Sequence, residues 1–179
     1  MQMSNRIGIY PGTFDPVTIG HMDIVKKALM VVDKLVLGIA IVNFKNTVFS
    51  AADRVTMAKE YIKTLPEELQ ARIEVAYFDG LLVNFAKKIG ANLILRGIRA
   101  VNDFEFEFQL SCVNSRLMPE LQTIFIPSSE NNQYVSSRFV KEVAKLGGDI
   151  SSFSCEFVVN KLTDYYSKQI TKEQTFPND

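Results

Sequence analysis

The residues best suited to chemistry lie in three short segments rich in glycine, proline and hydroxyl side chains. The first, residues 10–21, is YPGTFDPVTIGH. Its prolines restrict the backbone, and its glycines let the backbone approach a ligand closely. His21 is the only histidine of the chain. It falls in the first turn of a predicted helix, where free N–H groups favour a phosphate. The alternative is a histidine that merely caps or packs, but the glycines, the prolines, Thr13 and Thr18 favour the phosphate site.

The second segment, LRGIR at residues 95–99, places two arginines directly after a predicted buried strand. A guanidinium group can bind two phosphate oxygens at once through two parallel N–H bonds, so Arg96 and Arg99 could clamp a phosphate. No acidic residue lies between Asp79 and Asp103, so we expect no nearby carboxylate to neutralise the clamp. The alternative is two solvated arginines whose aliphatic stems cover the surface.

The remaining candidates are weaker. Ser136 and Ser137 open a predicted helix, where serine usually serves as a cap. The same helix start also offers N–H groups to a phosphate, so the two interpretations coexist. Lys45, in the loop after the second predicted strand, is equally a solvated lysine or a further cationic contact. Glu107 is more typical of a solvated helix carboxylate than of a ligand contact.

Several common chemistries lack their motifs. The chain contains neither GxxxxGK[ST] nor GxGxxG, and no GxSxG elbow or Cys–His signature. Cys112 and Cys155 are isolated, which argues against a zinc site or a disulfide framework. No pattern requires acid–base or covalent catalysis. Cations and helix N-termini in one cleft instead indicate phosphoryl chemistry, which depends mainly on positioning and charge stabilisation.

Apolar periodicity predicts the elements that position these residues. Residues 104–117 are ambiguous, since 104–108 alternate like a strand. Phe106, Leu110, Val113 and Leu117 follow a helical stripe, and a helix is therefore predicted there. Strands are predicted at 6–10, 35–41, 73–78, 93–95 and 123–126, and helices at 20–32, 50–64, 81–89, 102–117, 136–146 and 155–168.

This alternation predicts an α/β fold with a doubly wound, five-stranded parallel sheet of the dinucleotide-binding type. Such sheets bind ligands at the carboxyl ends of strands, where the strand order reverses. The length of 179 residues fits one domain. We assign residues 1–169 to it and expect 170–179 to be a polar, flexible tail.

Charge and hydropathy exclude other classes. Twenty basic and twenty acidic residues give zero net charge, so the chain has no overall basic field for nucleic acid. The longest apolar run, residues 35–42, is far shorter than the roughly 20 residues that span a bilayer. The N-terminus shows no apolar signal region. We therefore expect a cytoplasmic protein without nucleic-acid or membrane partners.

The three segments, together with one further stretch of sequence, resemble those of a known family. YPGTFDPVTIGH contains a TxGH form of the nucleotidyltransferase T/HxGH signature. Together with RGIRAVNDFEFEFQL, NSRLMPEL and YVSSRFVKEVAKLGGDIS, it resembles the bacterial phosphopantetheine adenylyltransferases. The resemblance implies transfer of AMP from ATP to 4′-phosphopantetheine, giving dephospho-coenzyme A and pyrophosphate. It also implies Mg²⁺ dependence, a homohexamer, and coenzyme A or dephospho-coenzyme A as product or feedback ligand.

The resemblance also implies roles for individual residues. His21, Lys45 and Arg99 would stabilise charge during in-line attack, without a general base. Mg²⁺ would be held mainly through substrate phosphates, so no protein metal ligand is assigned. Phosphopantetheine would contact Thr13, Lys45, Leu82 and Arg96. ATP would contact Thr13, Phe14, His21, Gly97, Ile98, Arg99, Glu107, Asn132, Gln133, Tyr134, Val135, Ser136, Ser137 and Arg138.

Two alternatives stay open. One is another small-molecule nucleotidyltransferase, acting on nicotinate mononucleotide or glycerol phosphate. The other is a sensor that binds a nucleotide or coenzyme A without turnover. The chain also departs from the family pattern: Arg138 stands where a small hydroxyl residue is common, and Asn132 where an aromatic residue is frequent.

Overall fold

The computed structural model describes residues 6–41 and 47–174. It confirms all five predicted strands and all six predicted helices, including the helix chosen for the ambiguous stretch. It adds one short α-helix and one 3₁₀ helix (Glu130–Asn132) that were not predicted. The strands are β1 (Ile7–Gly12), β2 (Lys34–Ala40), β3 (Ile73–Phe78), β4 (Leu93–Ile98) and β5 (Gln122–Pro127). The helices are α1 (Ile19–Ala28), α2 (Ala51–Ile62), α3 (Glu67–Gln70), α4 (Leu82–Ile89), α5 (Val101–Leu117), α6 (Ser137–Lys145) and α7 (Glu156–Gln174).

The five strands form one parallel sheet in the order β3-β2-β1-β4-β5. The chain moves from β1 to one edge through β2 and β3, then returns to β4 on the other side of β1. The order therefore reverses between β1 and β4, which is where a doubly wound sheet opens a crevice for ligands. The predicted fold class is confirmed.

Side chains alternate between the two faces of the sheet, and both faces are covered. Tyr10 and Leu95 belong to a large core that also contains Val25 of α1 and Met57 of α2. The residues just before them, Ile9 and Ile94, belong to a smaller core on the opposite face with Val83 and Ala86 of α4. Burial on both faces explains why the strands are almost continuously apolar.

Local signals set several helix boundaries as the sequence predicts. The Ser50 hydroxyl accepts a hydrogen bond from the Asp53 amide at 3.1 Å and caps α2. The Ser136 hydroxyl accepts from the Phe139 amide at 3.2 Å and caps α6. Helix α7 runs to Gln174, beyond the predicted end at 168, so the predicted boundary after residue 169 falls inside it.

Helix α5 carries its apolar stripe on the surface. None of its residues is buried. The stripe that predicted the helix is exposed at Phe106 (61%), Val113 (55%) and Leu117 (54%). Phe104 anchors the helix through an edge-on contact with Phe125 of β5, at a centroid distance of 5.3 Å. The periodicity predicted the helix correctly but not which surface covers its apolar side.

No helix within residues 6–41 and 47–174 combines the length and apolar character needed to cross a membrane.

Candidate active site

A cavity of about 720 Å³ opens at the carboxyl ends of β1 and β4, where the strand order reverses. This volume lies in the range usual for small-molecule sites. The cavity brings together the three segments that the sequence singled out. From the predicted ATP and acceptor contacts it is lined by Thr13, Phe14, His21, Arg96, Gly97, Arg99, Glu107, Val135, Ser136, Ser137 and Arg138.

Other predicted site residues lie elsewhere. Ile98, Asn132, Gln133 and Tyr134 do not line this cavity. The Asn132 carbonyl nevertheless lies 3.7 Å from the position that a Cβ at Gly20 would occupy, so its loop passes close to α1. Leu82 lines a second cavity, described below. Lys45 falls in residues 42–46, outside the described part of the chain.

His21 is held by the residue that caps its own helix. The Thr18 amide donates a hydrogen bond to Nδ1 of His21 at 3.0 Å, and the Thr18 hydroxyl lies 2.8 Å from the same nitrogen. Because Nδ1 accepts from an amide, the proton of the neutral ring resides on Nε2. Burial, with repulsion from Arg99, lowers the pKa of His21 to about 4. His21 is therefore a neutral Nε2–H donor on the cavity wall; it both caps its helix and lines the site.

The arginine pair lies at the carboxyl end of β4. Arg96 lies within β4 rather than after it, because the strand extends to Ile98. Its Nη1 donates to the Pro11 carbonyl at 3.0 Å, which ties β4 to the end of β1. Gly97 allows α1 to pack closely here, since a Cβ would lie 2.8 Å from Cγ1 of Ile24.

Both arginines have carboxylate partners on α5, so the expectation of an unneutralised clamp is wrong. Nε and Nη2 of Arg96 pair with Glu107. Nε and Nη2 of Arg99 donate to the two carboxylate oxygens of Asp103 at 2.9 and 3.3 Å. Helix α5 follows β4 directly and turns back over its end, which brings acids later in the sequence onto the arginines.

Two helices direct their N-termini at the cavity. Helix α1 begins beside His21, and α6 begins at Ser137, whose hydroxyl donates to the Pro16 carbonyl at 2.8 Å. Helix N-termini carry partial positive charge and free N–H groups. Close packing joins them, because a Cβ at Gly20 would lie 3.3 Å from the Val135 carbonyl. Gly20 thus allows a close contact within the protein, and it also lines the cavity.

Four titratable cavity residues were missed by the sequence reasoning: Tyr10, Asp15, Asp103 and Lys141. Asp15 lies inside the first segment and Lys141 lies one helical turn after Ser137, so both were within reach of the motif argument. Tyr10 lies in the buried part of β1; its burial raises the pKa of the hydroxyl, which stays protonated despite the nearby arginines. Together, neutral donors, paired cations and helix N-termini make this a site for a phosphate-bearing ligand.

A second cavity of about 140 Å³ shares Arg96 and Glu107 with the first. Leu82, Leu110 and Ile94 give it apolar walls. Its polar lining includes Thr123, whose hydroxyl is buried without a hydrogen-bond partner among the described residues. A ligand with a phosphate at the arginines could therefore extend an apolar arm with hydrogen-bonding groups into this space.

The sheet order and the anion cavity define a nucleotide-binding α/β protein of the nucleotidyltransferase class. Residues 9–143 match the family model described as cytidylyltransferase-like. The phosphopantetheine adenylyltransferase of Wolbachia pipientis wMel is 51% identical over 162 residues, covering 90% of this chain and 94% of its own. That of Rhodospirillum rubrum is 45% identical over 168 residues, covering 94% and 97%. The chain thus belongs to the phosphopantetheine adenylyltransferase family.

Solved structures at low identity share the fold. A bifunctional NMN adenylyltransferase/ADP ribose pyrophosphatase from Francisella tularensis, complexed with AMP and a manganese ion, superposes with a TM-score of 0.68 at 18% identity. The match covers 96% of this chain and 53% of that one. Plasmodium falciparum nicotinic acid mononucleotide adenylyltransferase, complexed with NaAD, gives 0.57 at 16% identity, covering 92% and 96%. These likenesses concern the fold alone.

Proposed function

We propose that this protein transfers AMP from ATP to 4′-phosphopantetheine, giving dephospho-coenzyme A and pyrophosphate. The observation that carries the proposal is the convergence of His21, Arg96, Arg99 and two helix N-termini on one cavity. Relatives at 44–52% identity that bear the phosphopantetheine adenylyltransferase name support the choice of acceptor.

The reaction needs no general base. The attacking phosphate of the acceptor is ionised at neutral pH, and its oxygen forms a bond to the α-phosphorus of ATP. The bond from that phosphorus to the β-phosphate bridging oxygen breaks, and its electron pair leaves with pyrophosphate. Neutral His21 donates through Nε2–H to the phosphate oxygens, while Arg99 and Lys45 offset the charge. Losing one such preorganised donor costs about 10²–10³-fold in turnover.

The acceptor's phosphate binds at Arg96, and its pantetheine arm enters the second cavity. The two cavities meet at Arg96 and Glu107. An arm with both methyl groups and amides fits apolar walls that also present the unpartnered Thr123 hydroxyl. This placement explains how Leu82 can contact the acceptor although it lies outside the first cavity.

Mg²⁺ enters bound to the nucleotide phosphates. Within the described ranges, no group of three potential metal-ligating His, Cys, Asp or Glu residues occurs. Asp15, Asp103 and Glu107 on the cavity wall are already paired with Lys or Arg side chains. Mg²⁺ keeps several waters and favours phosphate oxygens. The triphosphate and water can therefore supply most of its ligands.

The exposed apolar side of α5 forms a contact between copies in a homohexamer. Val101 (82% exposed), Phe106, Phe108, Val113 and Leu117 make it unusually apolar for a surface helix. Val113→Glu would place a charge in that contact. Light scattering coupled to gel filtration should then show a smaller particle than the wild-type hexamer, whereas Lys161→Glu on α7 should leave the mass unchanged. A monomeric wild type would contradict the hexamer.

The cellular setting follows from the same assignment. We expect the protein to act in the cytoplasm, and coenzyme A or dephospho-coenzyme A to compete for the site as product or feedback ligand. Competition is checked by measuring whether coenzyme A raises the apparent KM for ATP.

Pyrophosphate release with ATP and a panel of phosphorylated acceptors tests the function. The panel contains 4′-phosphopantetheine, nicotinate mononucleotide and glycerol phosphate. We expect release with 4′-phosphopantetheine. Release solely with another acceptor would favour a different nucleotidyltransferase, and no release with any acceptor would favour a non-catalytic sensor.

His21→Ala tests the mechanism separately. Turnover should fall about 10²–10³-fold while the protein remains folded, because one preorganised donor is lost. His21→Gln is the matched variant. Its side-chain amide, which is longer than that of asparagine, can present an N–H group near the position of Nε2. Near-normal turnover of folded His21→Ala would refute the assigned role.

A further inference from the structure

A cluster of buried charges beside the cavity joins segments that are far apart in the sequence. Asp15 is 2% exposed. Its carboxylate accepts hydrogen bonds from the Val48 amide at 2.9 Å, the Phe49 amide at 3.0 Å and the Lys141 ammonium at 2.7 Å. These bonds connect the β1–α1 junction to the start of α2 and to α6.

Arg54 of α2 completes the cluster. Arg54 is also 2% exposed. Its Nε donates to the Phe49 carbonyl at 3.2 Å, and its Nη1 donates to the carbonyls of Thr13 at 2.7 Å and Ala40 at 3.0 Å. It therefore fixes the backbone of a cavity residue to the end of β2. Such a multiply bonded guanidinium cannot be removed without leaving buried carbonyls unsatisfied.

The charges of the cluster suit a wall that faces phosphates. Asp15 and Lys141 both line the cavity. An uncompensated buried carboxylate there would repel a triphosphate, but Lys141 pairs with Asp15 directly and Arg54 attracts it electrostatically. Lys141 lies one turn after Ser137, so its bond to Asp15 also sets where the N-terminus of α6 meets the cavity.

We propose that Asp15, Lys141 and Arg54 form a positioning cluster, which holds Thr13 and the start of α6 at the spacing that the bound nucleotide requires. The cluster acts through the residues it holds rather than by touching the reacting atoms. This inference rests on the proposed function. A displacement of about 1 Å at a reacting centre can cost about 10²-fold in rate, so positioning should be visible in kcat.

The test is a double-mutant cycle on Asp15 and Lys141. Asp15→Asn, Lys141→Met and the double variant are assayed at saturating substrates, and their thermal unfolding is recorded. Lys141→Arg is the conservative variant. Lys161→Met is the matched control, because Lys161 pairs with Asp53 at 3.6 Å on the surface, away from the cavity.

We expect each single variant to lower kcat about 10–100-fold. The double variant should be no worse than the poorer single one, because both remove the same link. Lys141→Arg should recover part of the loss, and Lys161→Met should match the wild type. If Asp15→Asn does not fold, Asp15→Glu replaces it in the cycle, since it keeps the charge but moves the carboxylate away from its position beside Lys141.

Two results would overturn the proposal. Unchanged kcat with a lowered unfolding temperature would make the cluster purely structural. Multiplying losses in the double variant would mean that Lys141 acts on the ligand independently of Asp15. The wild type is first assayed against the acceptor panel, and the variants are then assayed with whichever acceptor it uses. If no acceptor works, the same cycle is run on the calorimetric Kd for ATP, with the same expected coupling and the same two refuting outcomes.

Discussion

Lowering the pH should leave His21 neutral well below the range in which histidines usually titrate. Burial and the neighbouring Arg99 lower its pKa from 6.5 to about 4. The Thr18 amide, which donates to Nδ1, further favours the Nε2–H tautomer. The chain has a single histidine, so its imidazole signals in a nuclear magnetic resonance spectrum belong to this residue alone.

The same shift predicts how stability changes with pH. Between about pH 4 and 6.5 the unfolded chain binds a proton at His21 that the folded protein does not, so the free energy of unfolding falls as the pH falls through this window. The difference between a pKa of 6.5 in the unfolded chain and about 4 in the folded protein, at about 1.4 kcal/mol per pH unit, corresponds to about 3–4 kcal/mol at the acid end of the window. Above the unfolded-state pKa this contribution is fully present.

Imidazole ¹⁵N shifts, followed from neutral pH down to the acid limit of folding, measure the pKa and the tautomer directly. Urea unfolding of the wild type and of His21→Gln over the same pH range measures how the free energy of unfolding depends on pH. The glutamine variant should lack the part of this dependence that comes from His21. A midpoint near 6.5, or a proton on Nδ1, would refute both the neutral-donor role and the structural reason for it.

Three further changes probe the arginines and their packing. Glu107→Gln removes the anion paired with Arg96, so inorganic phosphate should inhibit about tenfold more tightly, as expected for one charge-assisted hydrogen bond; an unchanged Ki would contradict this competition. Arg99→Lys keeps the charge but loses the fork, and should lower kcat about tenfold; wild-type kcat would mean that charge alone suffices. Gly97→Ala places a Cβ 2.8 Å from Ile24 Cγ1 and should cost about 1–3 kcal/mol in urea unfolding; an Ile24→Ala background, which lacks Cγ1, should partly rescue this loss. Failure of that rescue would show that the overlap is relieved elsewhere.

Much of the fold could be predicted because local sequence signals decide it. Continuous apolar runs predicted the buried parallel strands, and Ser50 and Ser136 predicted helix starts through hydrogen bonds made within three residues. The short helix α3 was missed because its four residues are too few for a periodic pattern.

The candidate site could be predicted to the extent that its residues follow strand ends. His21, Arg96 and Arg99 meet because parallel strands end at the same edge of the sheet. The partners of these residues were not predictable in the same way. Lys141 reaches Asp15 across 126 residues, and no local pattern encodes that contact. The spacing in α5 predicted the helix and its apolar stripe, but periodicity records that a surface is apolar and not what covers it.

The pairing of charges in the cavity bears on how a phosphate ligand must bind. Among the described residues, each of the four cations on the cavity wall has an acidic partner: Arg96 with Glu107, Arg99 with Asp103, Arg138 with Glu142, and Lys141 with Asp15.

This pairing reconciles an anion site with a chain of zero net charge. An incoming phosphate meets arginines that are already oriented, so little reorganisation is needed, but it must exchange with their carboxylates. The pairs differ in exposure: the Arg138 side chain is 83% exposed, whereas that of Lys141 is 21% exposed and its partner Asp15 3%. A phosphate can therefore displace a carboxylate most easily at exposed Arg138 and least easily at Lys141, whose partner Asp15 is buried. This difference separates the cations that can bind the ligand from Lys141, which holds the cavity wall in place.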